Sequence, residues 1–401
     1  MRSVLVDRSP LRSWLGLAAF YAASFAALAV YMQFLPLWLR DERGLQPSQI
    51  ALVLSAQTIG RTLAGPLWSQ HVDRRGAPRA VLRWLALLSL VGGLGFLAAH
   101  SVPALWGAAF LFGCVYSPMH AILDSLALLG ARRGGFAYGR LRVVGSLAFL
   151  LVILGVGFWL DHVAAAVVLW LLLGGLGATV LTGIGLPDER SPQAVGKAPM
   201  AQLLRSRSFV WLLVASAAIQ GSHATYYNLS TAHWTAHGID KGIAGVLWAE
   251  GVLAEIVMFF FARASVERLR PTTMMMVGGL GAVVRWCVVG ATTDVGCLLA
   301  SNWLHALSFS CTYLGALRAL ERRVPEAQRA TAQGLLGAAN SGVGMVVCGL
   351  CGGFVYERSE GLAFFAMAAF ALLGVALAFA LRRAADQAPA AATATASANA
   401  E

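Results

Sequence analysis

Gly130-Ala-Arg-Arg-Gly-Gly-Phe-Ala-Tyr-Gly139 is a basic turn between two apolar runs, and the stretch around it, Ala104 to Leu160, decides how the rest of the chain is read. One acid, Asp124, lies inside the first run. Arg140 and Arg142 open the second. Asp124 and Arg142 stand nine residues on either side of Arg133. In an antiparallel helical hairpin both then lie roughly 14 Å from the turn, at 1.5 Å per residue. That is near the middle of a bilayer core about 30 Å thick. Ionised side chains at that depth are costly and mark functional sites. A second hairpin follows the same logic: Arg285 and His305 are equidistant from Val295, in the turn Thr292-Thr-Asp-Val-Gly296.

The chain has 401 residues, 58% hydrophobic and 12% charged. A soluble protein carries roughly 25% charged residues, so the composition is that of a polytopic membrane protein. Twelve apolar runs are long enough to span: about 14–39, 47–69, 80–99, 103–129, 140–160, 163–186, 209–233, 242–262, 273–292, 296–318, 328–354 and 361–381. The first is too long for a cleaved signal and reads as a retained span. Arginines crowd alternate loops, among them Arg74, Arg75 and Arg79, Arg132 and Arg133, Arg263 to Arg270, and Arg318 to Arg323. By the positive-inside rule those loops and both termini are cytoplasmic. The formal net charge of +11 follows from that rule and needs no nucleic acid. The six cysteines fall in or beside apolar runs, and Cys348-Gly-Leu-Cys351 reads as small-residue helix packing rather than redox or metal chemistry.

The polar stretch from Pro187 to Ser208 divides the spans into two sets of six. The domains expected are a first six-helix half over 1–186, a cytoplasmic linker over 187–208, a second half over 209–383, and an Ala/Thr/Pro-rich tail over 384–401 expected to be disordered.

Val72-Asp73-Arg74-Arg75-Gly76-Ala77-Pro78-Arg79, after the second run, resembles the loop signature of the major facilitator superfamily. Within it Asp73, Arg74, Gly76 and Arg79 are the candidate conformational motif. Tyr138-Gly-Arg-Leu-Arg-Val-Val-Gly-Ser146, Gln220-Gly-Ser-His-Ala-Thr-Tyr-Tyr227, Gly251-Val-Leu-Ala-Glu255, Val284-Arg-Trp286 and Leu304-His305 resemble the phenylpropionate permease and lactose permease-like branch, over residues 14 to 381. The resemblance implies an all-α membrane protein of the major facilitator fold, with twelve transmembrane helices in two six-helix halves. It also implies proton-coupled uptake of a small organic solute. Asp124 and Arg142 occupy the places of an acid and an arginine that contribute to substrate binding in the sugar permease. Arg285 and His305 match its proton-coupling region. The acid one turn after that histidine is replaced here by Ser308, so Glu255 becomes the candidate proton carrier.

Each candidate has a plainer alternative. Asp124 can form a structural ion pair with Arg140 or Arg142, and Arg142 can be a snorkelling arginine, as Arg140 is read to be. Arg61, with Gln57 one turn before it, is a candidate for receiving a carboxylate, or for pairing with a carbonyl or acid. Gln220, His223 and Tyr227 form one stripe that either binds substrate or bonds helices together. Asn302 and His305 form another. The function expected is that of a proton-coupled symporter importing a small organic acid, such as a phenylpropionate-like aromatic carboxylate. The alternatives are a sugar or nucleoside symporter and a drug or metabolite exporter. No enzyme motif is found. The expected partners are a small solute, protons and the lipid bilayer, with no nucleic acid, cofactor or metal. The expected state is a monomer in the cell inner membrane.

Overall fold

The computed structural model describes residues 10–134, 138–188, 200–258, 268–324 and 328–398, with side chains for all of these except 10, 73–74, 131–134, 330 and 384–398. The described residues are helical and contain no β-strand.

In chain order, α1 (Pro10–Ala29) passes through a π-turn, Val30–Phe34, into α2 (Leu35–Asp41). Then come α3 (Pro47–Arg75), α4 (Pro78–Ala98), α5 (Val102–Gly134), α6 (Tyr138–Leu160), α7 (Val167–Thr182) and the short α8 (Met200–Leu204). They are followed by α9 (Arg207–Gly221), α10 (Ala224–Ala236), α11 (Lys241–Val257) and α12 (Pro271–Ala291). Next, α13 (Val295–Asn302) leads through a π-turn, Ala306–Cys311, into α14 (Thr312–Arg323). Finally α15 (Arg329–Ala338) runs through a third π-turn, Ala339–Gly344, into α16 (Met345–Tyr356), and α17 covers Glu360–Ala398.

Local chemistry sets the ends. Pro47, Pro78 and Pro271 stand at first helical positions, where a missing N–H costs nothing. Gly76 stops α3 in the left-handed region, φ 62°, with its N–H on the Val72 carbonyl. The α17 backbone continues past Arg383 through residues 384–398, the segment expected to be disordered. Its Ala-rich composition lacks core-forming side chains but has the highest intrinsic helix propensity.

Among the described residues, eight helices are long and apolar enough to cross a membrane: Leu11–Asp41, Pro78–Ala98, Val102–Gly130, Tyr138–Leu160, Val167–Gly185, Pro271–Ala291, Thr331–Tyr356 and Glu360–Arg383. The described residues of the other four expected spans are largely helical too, but polar or interrupted, and 259–262 of the run over 242–262 lie outside the described residues. One is α3, which holds Gln57 and Arg61. Another is the run over 209–233, which is split rather than continuous. Its break falls at Ser222 and His223, whose side chains take carbonyls of the preceding turn: Ser222 Oγ bonds the Ile219 carbonyl at 2.6 Å and His223 Nδ1 lies 3.2 Å from that of Gln220. Such local bonds compete with the helical ladder. The expected spans over 242–262 and 296–318 carry Glu255 and His305.

The chain folds as two compact units. The first comprises Met1–Val195 with Asn228–Val246, and the second Gly196–Tyr227 with Leu247–Glu401. Small residues set close helix contacts within each. In the first, a Cβ on Gly113 of α5 would lie 2.1 Å from the Gln57 carbonyl of α3. In the second, a Cβ on Gly352 would lie 1.8 Å from Thr225 Oγ1. Cys348 and Cys351, just before Gly352, are unbridged thiols.

Asn228–Val246 follows the linker in sequence yet packs in the first unit, and named bonds explain why. Arg40 reaches α10 through the Ala232 carbonyl and Thr235 Oγ1. Asp161 caps the start of α11 from another part of the chain, accepting the N–H groups of Lys241 at 2.7 Å and Gly242 at 3.0 Å. Lys241 Nζ returns a bond to the Leu160 carbonyl at 2.7 Å.

Candidate functional site

In the second unit, α12 ends at Ala291 and α13 begins at Val295. That short turn brings Arg285 and His305 level, as equal spacing requires. Arg285 is fully buried. Its Nη1 lies 2.9 Å from His305 Nδ1, and its Nη2 and Nε lie 3.0 and 3.3 Å from Asn302 Oδ1. The rings of Tyr226 and Trp286 stand 4.2 and 4.8 Å from its Cζ, favourable for a desolvated cation. Asn302 is itself held by its Nδ2 donating to the Leu247 carbonyl at 2.9 Å.

Chemistry then fixes the tautomer. A guanidinium only donates, so His305 Nδ1 accepts and the proton of the neutral ring is on Nε2. That nitrogen lies 2.9 Å from Glu255 Oε1 and donates to it. The result is one chain of bonds: guanidinium, neutral imidazole, carboxylate. Its exposure is graded. Arg285 is sealed, the His305 side chain is 9% exposed and that of Glu255 25%. The acid is the partly exposed end and the cation the sealed one.

The stripe on α9 and α10 joins the same interior. His223 Nε2 lies 3.0 Å from Ser308 Oγ, so the serine that stands in place of an acid serves as its partner. Gln220 Nε2 donates to the Phe309 carbonyl, while Gln220 Oε1 has no partner. Tyr227 packs against Trp248 and His223.

The first unit is arranged differently. Asp124 and Arg142 both reach α1, one turn apart, but they do not meet. The Tyr21 hydroxyl donates to Asp124 Oδ1 at 2.5 Å. The Arg142 Cζ lies over the Phe25 ring at 4.5 Å, and its buried Nη1 has no hydrogen-bond partner among the described residues. No Asp124–Arg142 ion pair exists among the described residues, which corrects the expected pairing. Equal spacing sets depth along a helix, but the direction around the helix axis sends each side chain to its own ring. Arg140 is exposed. Arg61 is half-buried on α3, while Gln57 turns to Ser117 Oγ at 2.7 Å. In the loop motif, Gly76 makes its turn and Arg79 stands 3.9 Å from Asp188. The side chains of Asp73 and Arg74 lie outside the described residues.

Sequence reading missed the hydrogen-bond role of Tyr21 and the packing roles of Phe25 and Tyr226. The only signal was the one-turn spacing of Tyr21 and Phe25 on α1.

Residues 14–367 match the model of the MFS_1 like family. The chain belongs to that family. It is therefore a major facilitator superfamily transporter, a multi-pass membrane protein that carries small molecules. It is 28% identical over 366 residues to the probable 3-phenylpropionic acid transporter of Escherichia coli (strain K12), covering 90% of this chain and 95% of that one. It is 26% identical to the maltose permease of Geobacillus stearothermophilus, covering 84% and 86%. Its fold matches the crystal structure of the nucleoside transporter NupG with a TM-score of 0.79 at 16% identity, over 92% of this chain and 98% of that one.

Proposed function

We propose that this transporter is a proton symporter importing a small organic acid of the phenylpropionate type. The observation that carries the coupling is the Glu255–His305–Arg285 chain. A carboxylate at the partly exposed end of such a chain is placed to take a proton. The neutral His305 then loses its charged acceptor, and the Arg285 cation loses the counter-charge it feels through the imidazole. Loading one proton thus changes the stability of a buried cation. A carrier can use such a change to select which side of the membrane it faces.

The substrate reading has two supports. A relative is named as a transporter of 3-phenylpropionic acid. Arg142 also presents a buried Nη1 with no protein acceptor, beside aromatic rings, a donor suited to a carboxylate. In this reading Asp124, Arg61, Gln220, His223 and Tyr227 shape or hold the solute region, and Asp73, Arg74, Gly76 and Arg79 act as the conformational loop. The protein is a monomer in the inner membrane, with twelve spans in two halves and both termini cytoplasmic. The second reading is a proton-coupled sugar or nucleoside symporter. It is favoured by the maltose permease relative and by Asp124, a carboxylate able to accept hydroxyl donors.

The test is uptake into proteoliposomes under an inward proton gradient, with phenylpropionate, benzoate, maltose and uridine offered in parallel. Accumulation of an aromatic acid supports the first reading, and accumulation of the sugar or nucleoside alone replaces it with the second. Glu255→Gln is expected to abolish uphill uptake while preserving exchange. Uphill uptake that survives removes Glu255 from the coupling role.

A further inference from the structure

His120 lies one helical turn before Asp124 on α5 and takes no part in the scheme above. Its ring is held edge-on between two others, Phe25 at 5.2 Å and Tyr116 at 5.1 Å between centroids. The Tyr116 hydroxyl is occupied, donating to the Ser24 carbonyl at 2.7 Å. The Asp124 carboxylate already accepts from Tyr21. His120 Nε2 is buried and has no hydrogen-bond partner among the described residues. The Phe25 ring that carries His120 on one contact carries the Arg142 guanidinium on another, and Arg142 Nη1 is likewise buried without a partner. Two buried nitrogens with unused hydrogen-bonding capacity therefore flank one aromatic ring.

We infer that His120 and Arg142 together form the anion subsite, and that His120 takes up a proton when a carboxylate binds. This rests on the reading of the solute as an organic acid. A protonated imidazole and a guanidinium are both pure donors, so each can give one hydrogen bond to a carboxylate. The charge balance closes. The carboxylate arrives ionised, one proton from water ends on the imidazole, and the subsite gains no net charge on loading. The charged groups facing His120 are Asp124 on its own helix and Arg142 on α6, with the Tyr116 and Tyr21 phenols beside them. Arg142 opposes the extra proton and Asp124 favours it; the incoming carboxylate decides between them. His120 is thus a binding residue that makes solute affinity depend on protons, separately from Glu255.

The experiment measures 3-phenylpropionate affinity by calorimetry from pH 6.5 to 8, in Glu255→Gln so that Glu255 cannot titrate. A carboxyl of ordinary pKa is ionised throughout that window. One proton bound per anion makes affinity rise about tenfold for each pH unit lowered. The inference expects that slope in Glu255→Gln. In Glu255→Gln with His120→Gln it expects binding about tenfold weaker at pH 6.5 and flat with pH, because glutamine keeps a donor but cannot carry the proton. His120→Asn serves in the same way if the glutamine variant does not fold. A double variant that keeps the slope and the affinity overturns the inference and leaves the organic-acid reading standing. A wild-type protein that binds maltose or uridine but not phenylpropionate overturns both.

Discussion

The two units treat buried charge in opposite ways. In the second, Arg285 donates to His305 and Asn302, Asn302 is anchored by the Leu247 carbonyl, and His305 donates to Glu255. In the first, Arg142 rests on Phe25 with Nη1 unpartnered, and His120 Nε2 has no partner either. A closed network is organised before any solute arrives, which suits a group that must hold and release a proton at a fixed place. An open set of donors costs stability in the empty protein and regains it when a ligand supplies acceptors.

The comparison breaks most visibly at the two arginines. Arg285→Ala removes one member of a closed buried network. We expect a stability loss of about 3–5 kcal/mol, read as a fall in melting temperature in detergent, together with loss of coupled uptake. Arg142→Ala removes a guanidinium whose buried Nη1 has no acceptor among the described residues, so uptake should be lost while stability changes by less than about 1 kcal/mol, the scale of one net hydrogen bond. Equal melting shifts for the two variants would erase the distinction. Tyr21→Phe strips Asp124 of its hydroxyl donor and is expected to cost about 2 kcal/mol, as for a hydrogen bond to a charged group. A silent Tyr21→Phe would mean that Asp124 has another source of support.

Smaller effects sharpen the picture at the helix ends. Asp161→Ala removes the cap on α11 and should cost about 1 kcal/mol, with faster amide exchange at Lys241 and Gly242 as its local sign. Asp294 caps α13 at the turn between the Arg285 and His305 helices. The Cys297 N–H, at 2.8 Å, holds its carboxyl below the ordinary aspartate range. A depressed carboxyl stabilises above its unfolded pKa and loses that contribution as pH falls through the folded one. Asp294→Ala should therefore flatten the acid side of the melting-temperature profile and leave the neutral side lower and level.

Residue spacing revealed depth and little about direction. Counting outward from Val295 brought Arg285 level with His305 because a short turn joins the two runs and the break after Asn302 does not change the depth enough to separate them, and there the side chains also happen to face each other. The same count around Arg133 brought Asp124 and Arg142 to one level, but their partners are Tyr21 and Phe25, more than ninety residues earlier, and no local pattern announces them. The fold was legible because apolar length is a strong signal. It faded in the four runs that carry Arg61, Gln220 with His223, Glu255 and His305, since the polar groups that make those runs interesting also lower their hydropathy. The π-turns at Val30–Phe34, Ala306–Cys311 and Ala339–Gly344 have no sequence signature at all, although one follows His305 directly and holds Ser308.

The placement of Asn228–Val246 in the first unit has a consequence for synthesis. A chain is made from its N-terminus, and domains generally complete as their residues emerge. Here the first unit cannot be complete when residue 195 has emerged. Asp161, the Leu160 carbonyl and Arg40 must wait until Ala232, Thr235, Lys241 and Gly242 have been made, and by then α9 of the second unit has already been made. The two units are therefore interleaved in time as well as in sequence. A gene cut in the linker would yield a first fragment lacking its last packing element, and co-expression of the second fragment should be needed to rescue it.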